Sequence, residues 1–178
     1  LSPTNASVHN NLGAAIQHTG DHKAAVDHFR KAQELDPNDL DPTMNIANSF
    51  AAQRKTDEAI QIYEQIIKQT PDSIGGHNNY GLALRYQCRF SESIDALEQA
   101  LELAKPDSRI TSNLAETLSL SGRGHDALAV LHTHMEQAPD DGTANQIGHT
   151  LTGLGDFDGA ANVFVDALKH NPNNISAL

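Results

Sequence analysis

At 178 residues, with aromatics at 4% and no tryptophan, the chain has room for a good-sized core but must build it from alanine, leucine and isoleucine rather than aromatic rings. Its 23 acidic and 12 basic side chains give a formal charge of −11, which argues against nucleic acid or an anionic membrane as the main partner. Cys88 is the single cysteine, so an intramolecular disulfide framework is excluded and a cysteine-based zinc site has no support.

Apolar and small residues recur at a period of about 34, each copy reading as two short helices. Residues 1–5 read as the tail of a preceding copy. In the copy at 6–39, Leu12-Gly13 and Ile16 share one helical face, Gly20 turns the chain, Ala25, Phe29 and Ala32 mark a second helix, and Pro37 ends it. The copy at 40–73 repeats this with Ile46-Ala47, Phe50, Ala59, Tyr63 and Pro71, and the copy at 74–107 with Tyr80-Gly81, Leu84, Ser93, Leu97 and Pro106. The copy at 108–140 carries Leu114-Ala115, Leu118, Gly122, Ala127, Leu131 and Pro139, is one residue short, and places His134 where a small residue normally lets helices approach. An irregular second helix is therefore expected there. The copy at 141–174 has Ile147-Gly148, Leu151, Gly155, Ala160, Phe164 and Pro172, and 175–178 begin a further first helix. A hairpin of two such helices cannot bury its apolar stripe alone and must stack on its neighbours. Without a capping helix at either end, association of copies through the uncapped ends is expected. In such a stack the small columns carry close packing, so Ala25→Leu should destabilise by about 1–3 kcal/mol.

These columns resemble the tetratricopeptide repeat over nearly the whole length. The copy at 6–39 matches best, through Leu12-Gly13, Gly20-Asp21, Ala25, Phe29, Ala32 and Asp36-Pro37. The departures are the family's early tryptophan position, which holds His9, Thr43, His77, Thr111 and Ala144, and its second alanine column, which holds Ile66 and His134. The resemblance implies an all-α, right-handed α-solenoid or superhelix of five helix-turn-helix repeats. Such a fold is a protein-binding scaffold with a peptide groove on its concave side.

On each first helix, the positions opposite the core columns form a stripe that lines that groove in the family. Asn10, Asn11, Asn45, Asn48, Asn78, Asn79, Arg85, Tyr86, Arg109, Asn113, Asn145 and Gln146 are its candidate binding residues. Asn11, Asn45, Asn79, Asn113 and Gln146 fall in a single column. Asparagine opposes helix formation by up to about 0.7 kcal/mol relative to alanine, so a column of amides calls for a compensating role. A carboxamide both donates and accepts, which suits reading the main chain of an extended peptide. The column also resembles the groove asparagines in the superhelical arm of the O-linked N-acetylglucosamine transferases. The structural alternative is that these amides bond to a neighbouring helix.

The stripe is close to neutral, unlike the lysine-bearing grooves of chaperone-binding relatives. Arg85 and Arg109 could still hold one carboxylate or phosphate. Ten histidines invite a metal, but His18 and His22 straddle a turn, and His132 and His134 point to different sides of a helix. Asp156-Phe157-Asp158-Gly159 lacks the later acidic ligand of a calcium loop, and Gly153-Leu154-Gly155 follows no strand. Neither a cofactor nor a catalytic set is expected, and the partner is a protein or extended peptide. No segment reads as a membrane span, and the lone thiol tilts the compartment towards the cytoplasm. Two other readings stay open: the recruiting arm of a larger glycosyltransferase-like enzyme, and a self-assembling module.

Overall fold

The computed structural model describes residues 5–104 and 106–170, with ten α-helices and no strand among them. The expectations placed on residues 1–4 and 171–178, including Pro172 and the uncapped ends, lie outside the described residues. The chain divides at Cys88–Arg89 into two compact units. The first contains α1 (Ala6–His18), α2 (His22–Leu35), α3 (Asp41–Ala52), α4 (Thr56–Gln69) and α5 (Ile74–Tyr86). The second contains α6 (Phe90–Ala104), α7 (Ser108–Leu120), α8 (Gly124–Gln137), α9 (Asp141–Gly153) and α10 (Phe157–His170). This is an all-α helical-repeat solenoid.

Five of the helices begin where a short polar side chain satisfies an open amide. Asn5, Asp21, Ser73, Asp107 and Asp140 each accept a backbone N–H three residues on, at the starts of α1, α2, α5, α7 and α9. Between the helices of each pair the chain turns through a left-handed residue. Gly20, Gly122 and Gly155 take φ of 88°, 84° and 82°, as glycine allows, while Arg54 and Cys88 occupy the same turn position at 61° and 59°.

The small columns are contact points between the helices of a pair. A Cβ on Gly13 would lie 2.6 Å from Phe29 Cε1, and one on Gly148 would lie 2.5 Å from Phe164 Cε1. Each phenyl ring of a second helix therefore lies directly on a glycine of the first. Ala25, Ala47, Ala59, Ala115 and Ala127 are fully buried. In the first unit, Ala59, Tyr63, Ile66 and Leu84 form one core cluster and Ala25, Phe29 and Ile46 another. In the second unit a single cluster runs through Leu97, Leu114, Leu118, Leu131 and Ile147.

The irregularity expected at 108–140 does not take the form of a broken helix. α8 is 14 residues long, as α2 and α4 are. His134 stays inside, 5% exposed, because its ring is bonded at both nitrogens: Nδ1 lies 3.2 Å from Thr111 Oγ1 and Nε2 lies 3.2 Å from Asp140 Oδ2. The Thr111 hydroxyl also donates to the Asp107 carbonyl, so the ring sits in a polar chain that runs from Asp107 through Thr111 and His134 to Asp140. Where a small residue would simply let helices approach, the histidine ties α7 and α8 to the start of α9.

Candidate functional site

The amide column is built from first helices, and in the first unit two of its members, Asn45 and Asn79, each bond to an amide beside the column on the preceding first helix. Asn45 Nδ2 donates to Asn10 Oδ1 at 3.0 Å, linking α3 to α1. Asn79 Nδ2 donates to Asn48 Oδ1 at 2.9 Å, linking α5 to α3, and Asn78 Nδ2 donates to Asn79 Oδ1 at 2.9 Å. Tyr63 completes the set from α4. Burial pushes its phenol above its ordinary range, so the hydroxyl keeps its proton and donates to Asn48 Oδ1 at 2.7 Å. In the second unit Gln146 Nε2 donates to the Ser112 carbonyl at 3.0 Å, tying α9 to α7. Bonding between neighbouring first helices is thus part of what the column does.

Two of the expected groove residues are not on an open surface. Asn78 is 1% exposed and Asn145 is 8% exposed. Their position on the helix borders the core columns, and the packing around them closes over it, so neither is a ligand-facing group. Asn11, Tyr86 and Arg109 are exposed, and Asn10, Asn45, Asn48, Asn79, Arg85, Asn113 and Gln146 are half-buried. Arg109 lies 3.9 Å from the Asp107 carboxylate.

The first unit opens a cavity of about 410 Å³ among α3, α4 and α5, lined by Asn48, Ala51, Thr56, Tyr63, Asn79, Leu82, Ala83 and Tyr86. It brings together Asn48, Asn79 and Tyr86 and leaves Asn10, Asn11 and Arg85 outside its lining. Both acceptor directions of Asn48 Oδ1 are taken by Tyr63 and Asn79, so the carboxamide is fixed with its NH2 as the group offered to a ligand. Tyr86, 58% exposed, forms a wall. Arg54 braces it, donating from Nη1 to the phenol oxygen at 3.0 Å, with its guanidinium carbon 6.0 Å from the ring centre. Sequence reading misses Arg54 because it stands in a turn, outside every helical stripe. It takes Tyr63 as core alone, and only its hydroxyl hints at more.

The second unit has a cavity of about 390 Å³ at the corresponding register, two copies further along the chain. Glu116, Ser119, Gln146, His149, Thr150 and Gly153 stand there where the first has Asn48, Ala51, Asn79, Leu82, Ala83 and Tyr86. Its chemistry is different: a carboxylate replaces the oriented amide, and glycine replaces the aromatic wall.

Among the described residues no three histidine, cysteine, aspartate or glutamate side chains converge in a way that could hold a metal ion. Two histidines that do meet join helices: His9 of α1 and His28 of α2 stack with Nδ1 atoms 3.2 Å apart. His132 and His134 line different cavities. Asp156 caps α10 through a bond from Gly159 N at 2.9 Å. No described helix is long and apolar enough to cross a membrane.

Comparison with known proteins follows the same lines. Tetratricopeptide-repeat profiles match residues 18–77 and 108–133. The Photosystem I assembly protein Ycf3 of Prochlorococcus marinus is 27% identical over 90 residues, 49% of this chain and 52% of that protein. The chain spans about half the length of the curated relatives it matches. The fold is shared with the Thermus thermophilus repeat protein TTC0263, at a TM-score of 0.72, 16% identity and coverage of 97% of this chain and 94% of that one. It is shared too with YrrB, described as a TPR protein with an unusual peptide-binding site, at a TM-score of 0.71, 18% identity and coverage of 98% and 90%.

Proposed function

This chain is a tetratricopeptide-repeat protein, and on that premise we propose that it is a protein-interaction scaffold whose first unit holds an extended peptide in the cavity among α3, α4 and α5. The observation that carries the reading is the fixed orientation of Asn48. Tyr63 and Asn79 both donate to its oxygen, at 2.7 Å and 2.9 Å, so the amide nitrogen is presented as a donor before any ligand arrives. A peptide carbonyl is the acceptor that every extended segment offers, whatever its side chains. The braced Tyr86 and the partly buried Leu82 supply apolar surface for one ligand side chain. The lining contains no charged residue, which suits a peptide without strong charge.

The remaining amides support this role indirectly. Asn10 with Asn45 holds α1 and α3 together within the first unit and keeps its first-helix face rigid. Preorganisation of this kind limits the ordering cost of binding. A peptide-binding relative such as YrrB, and an assembly protein such as Ycf3, are in keeping with a scaffold reading.

Fluorescence anisotropy with a library of near-neutral extended peptides tests it, comparing the parent with Asn48→Ala and Asn48→Asp at matched helicity and melting. Both variants lack the amide donors and should bind about tenfold or more weakly, the loss expected for one well-placed hydrogen bond. Undiminished binding by both would remove the cavity as the peptide site.

A further inference from the structure

The second unit carries two more cavities, on the side built by its second helices. One, of about 480 Å³, lies among α6, α7 and α8; the other, of about 450 Å³, lies among α8, α9 and α10. They occupy the same register one copy apart. Leu101, Leu114 and Val130 in the first are replaced by Met135, Ile147 and Val163 in the second. Of these, Leu101, Val130, Met135 and Val163 are only partly buried although they pack on the core cluster, so each cavity has an apolar floor open to solvent.

The rims give the floors a sign. Glu98 and Glu102, both exposed on α6, edge the first cavity, and Asp140, Asp141 and Asp166 edge the second. Asp140 meets His134 at 3.2 Å and Asp166 meets Lys169 at 2.7 Å, so part of the second rim is already paired. Among the described residues, neither cavity is lined by a lysine or arginine.

We infer that this face docks a cationic amphipathic segment of a partner protein. The segment crosses α8, places one apolar side chain in each cavity, and sets lysine or arginine against Glu98 and Glu102. The charge complementarity selects that occupant over an acidic segment or a second copy of this acidic chain. The face is separate from the Asn48 cavity, and the inference stands or falls independently of it.

The probe is a fluorescent amphipathic Leu-Lys peptide of about 18 residues, long enough for several apolar anchors at helical spacing. It should bind the parent, and its Leu-Glu counterpart should not. Glu98→Lys with Glu102→Lys should weaken binding about tenfold or more, while Glu58→Lys on α4 should change it less than about twofold. Binding should also shift the methyl resonances of Val130 and Val163, and Asn48→Ala should leave it intact. Equal weakening by Glu58→Lys would show general attraction to an acidic protein and overturn the inference, as would binding of the Leu-Glu peptide or unmoved valine methyls. Sedimentation showing self-association that Val130→Asp abolishes would assign the face to a second copy instead, and overturn it equally.

Discussion

The two units hold equivalent first-helix cavities on the same repeat frame, yet only the first is finished as a neutral pocket. In the first unit Tyr63 reaches from the core to fix Asn48, and Tyr86 stands as a wall under Arg54. In the second, Leu131 replaces Tyr63 without a hydroxyl, Glu116 replaces Asn48, and Gly153 replaces Tyr86. The backbone supplies a place, and side-chain chemistry at a few positions decides what the place can hold. Repetition makes the difference legible because everything else is nearly constant.

The largest test of this contrast lies in the core. Tyr63→Ala should destabilise by about 3–5 kcal/mol and also release Asn48, whereas Leu131→Ala should cost about 2–5 kcal/mol and leave the first cavity intact. Thermal and denaturant unfolding measure the first quantity, and peptide binding separates the two roles. Tyr63→Phe sharpens the point, since it retains the ring and removes only the bond to Asn48. Weaker peptide binding with a nearly unchanged melting temperature is the expected result.

Close packing is the next largest effect. Gly13→Ala and Gly148→Ala should each cost about 1–3 kcal/mol, because the added methyl would press on Phe29 or Phe164. At Gly13 the Ala25 carbonyl oxygen, 3.1 Å from the added carbon, is a further barrier to relaxation. Ala47 and Ala115, which face Tyr63 and Leu131 in other copies, show that the column tolerates a methyl where the opposing residue is set for it. Unfolding that is insensitive to Gly148→Ala would mean that the phenyl ring has room to move.

His134 distinguishes the second unit from the first, which has Ile66 in the same column, 2% exposed. His134→Ala installs the residue usual for the family but takes one of their bonds from Thr111 and from Asp140 and leaves a cavity where the ring was. A loss of about 1–3 kcal/mol is expected. The Asp140 carboxyl is pushed up by burial, but the bonds from the Thr143 amide and hydroxyl and from His134 outweigh this and hold it below its ordinary range. Its contribution is therefore fully present above the ordinary carboxyl value of 3.8 and fades as the pH falls through the lower folded value. Asp140→Asn keeps a capping side chain and removes that titration. The stability gap between parent and variant should accordingly be constant at neutral pH and narrow only in acid, a profile that pH-dependent melting can follow.

Much of the fold was readable because close packing needs small residues at fixed intervals: Gly13 and Ala25 announce Phe29, and Gly148 announces Phe164. The left-handed turns were readable at Gly20, Gly122 and Gly155. They were silent at Arg54 and Cys88, whose residue types give no sign of the backbone they adopt. At the site, the amide column was legible as a column, but its bonds were not, since they join helices about a repeat apart. Asn78 and Asn145 were misplaced because one helical position divides core from surface. Asn10 at the same position is half-buried, so local packing rather than periodicity sets the outcome.

The smallest effect concerns a turn. Cys88 is exposed and holds φ of 59°, in a position filled by glycine in three other copies. A side chain in this region costs about 1–2 kcal/mol, offset in part by the extra freedom that glycine brings to the unfolded chain. Cys88→Gly should therefore raise stability by a few tenths to about 1 kcal/mol. Arg54→Gly relieves the same strain but removes the brace on Tyr86, so it should stabilise the fold while weakening peptide binding. If both glycine variants bind peptide as the parent does, Arg54 is a turn residue only and Tyr86 holds its position without it. If only Arg54→Gly loses affinity, the first unit has kept an unfavourable turn residue for the wall it supports.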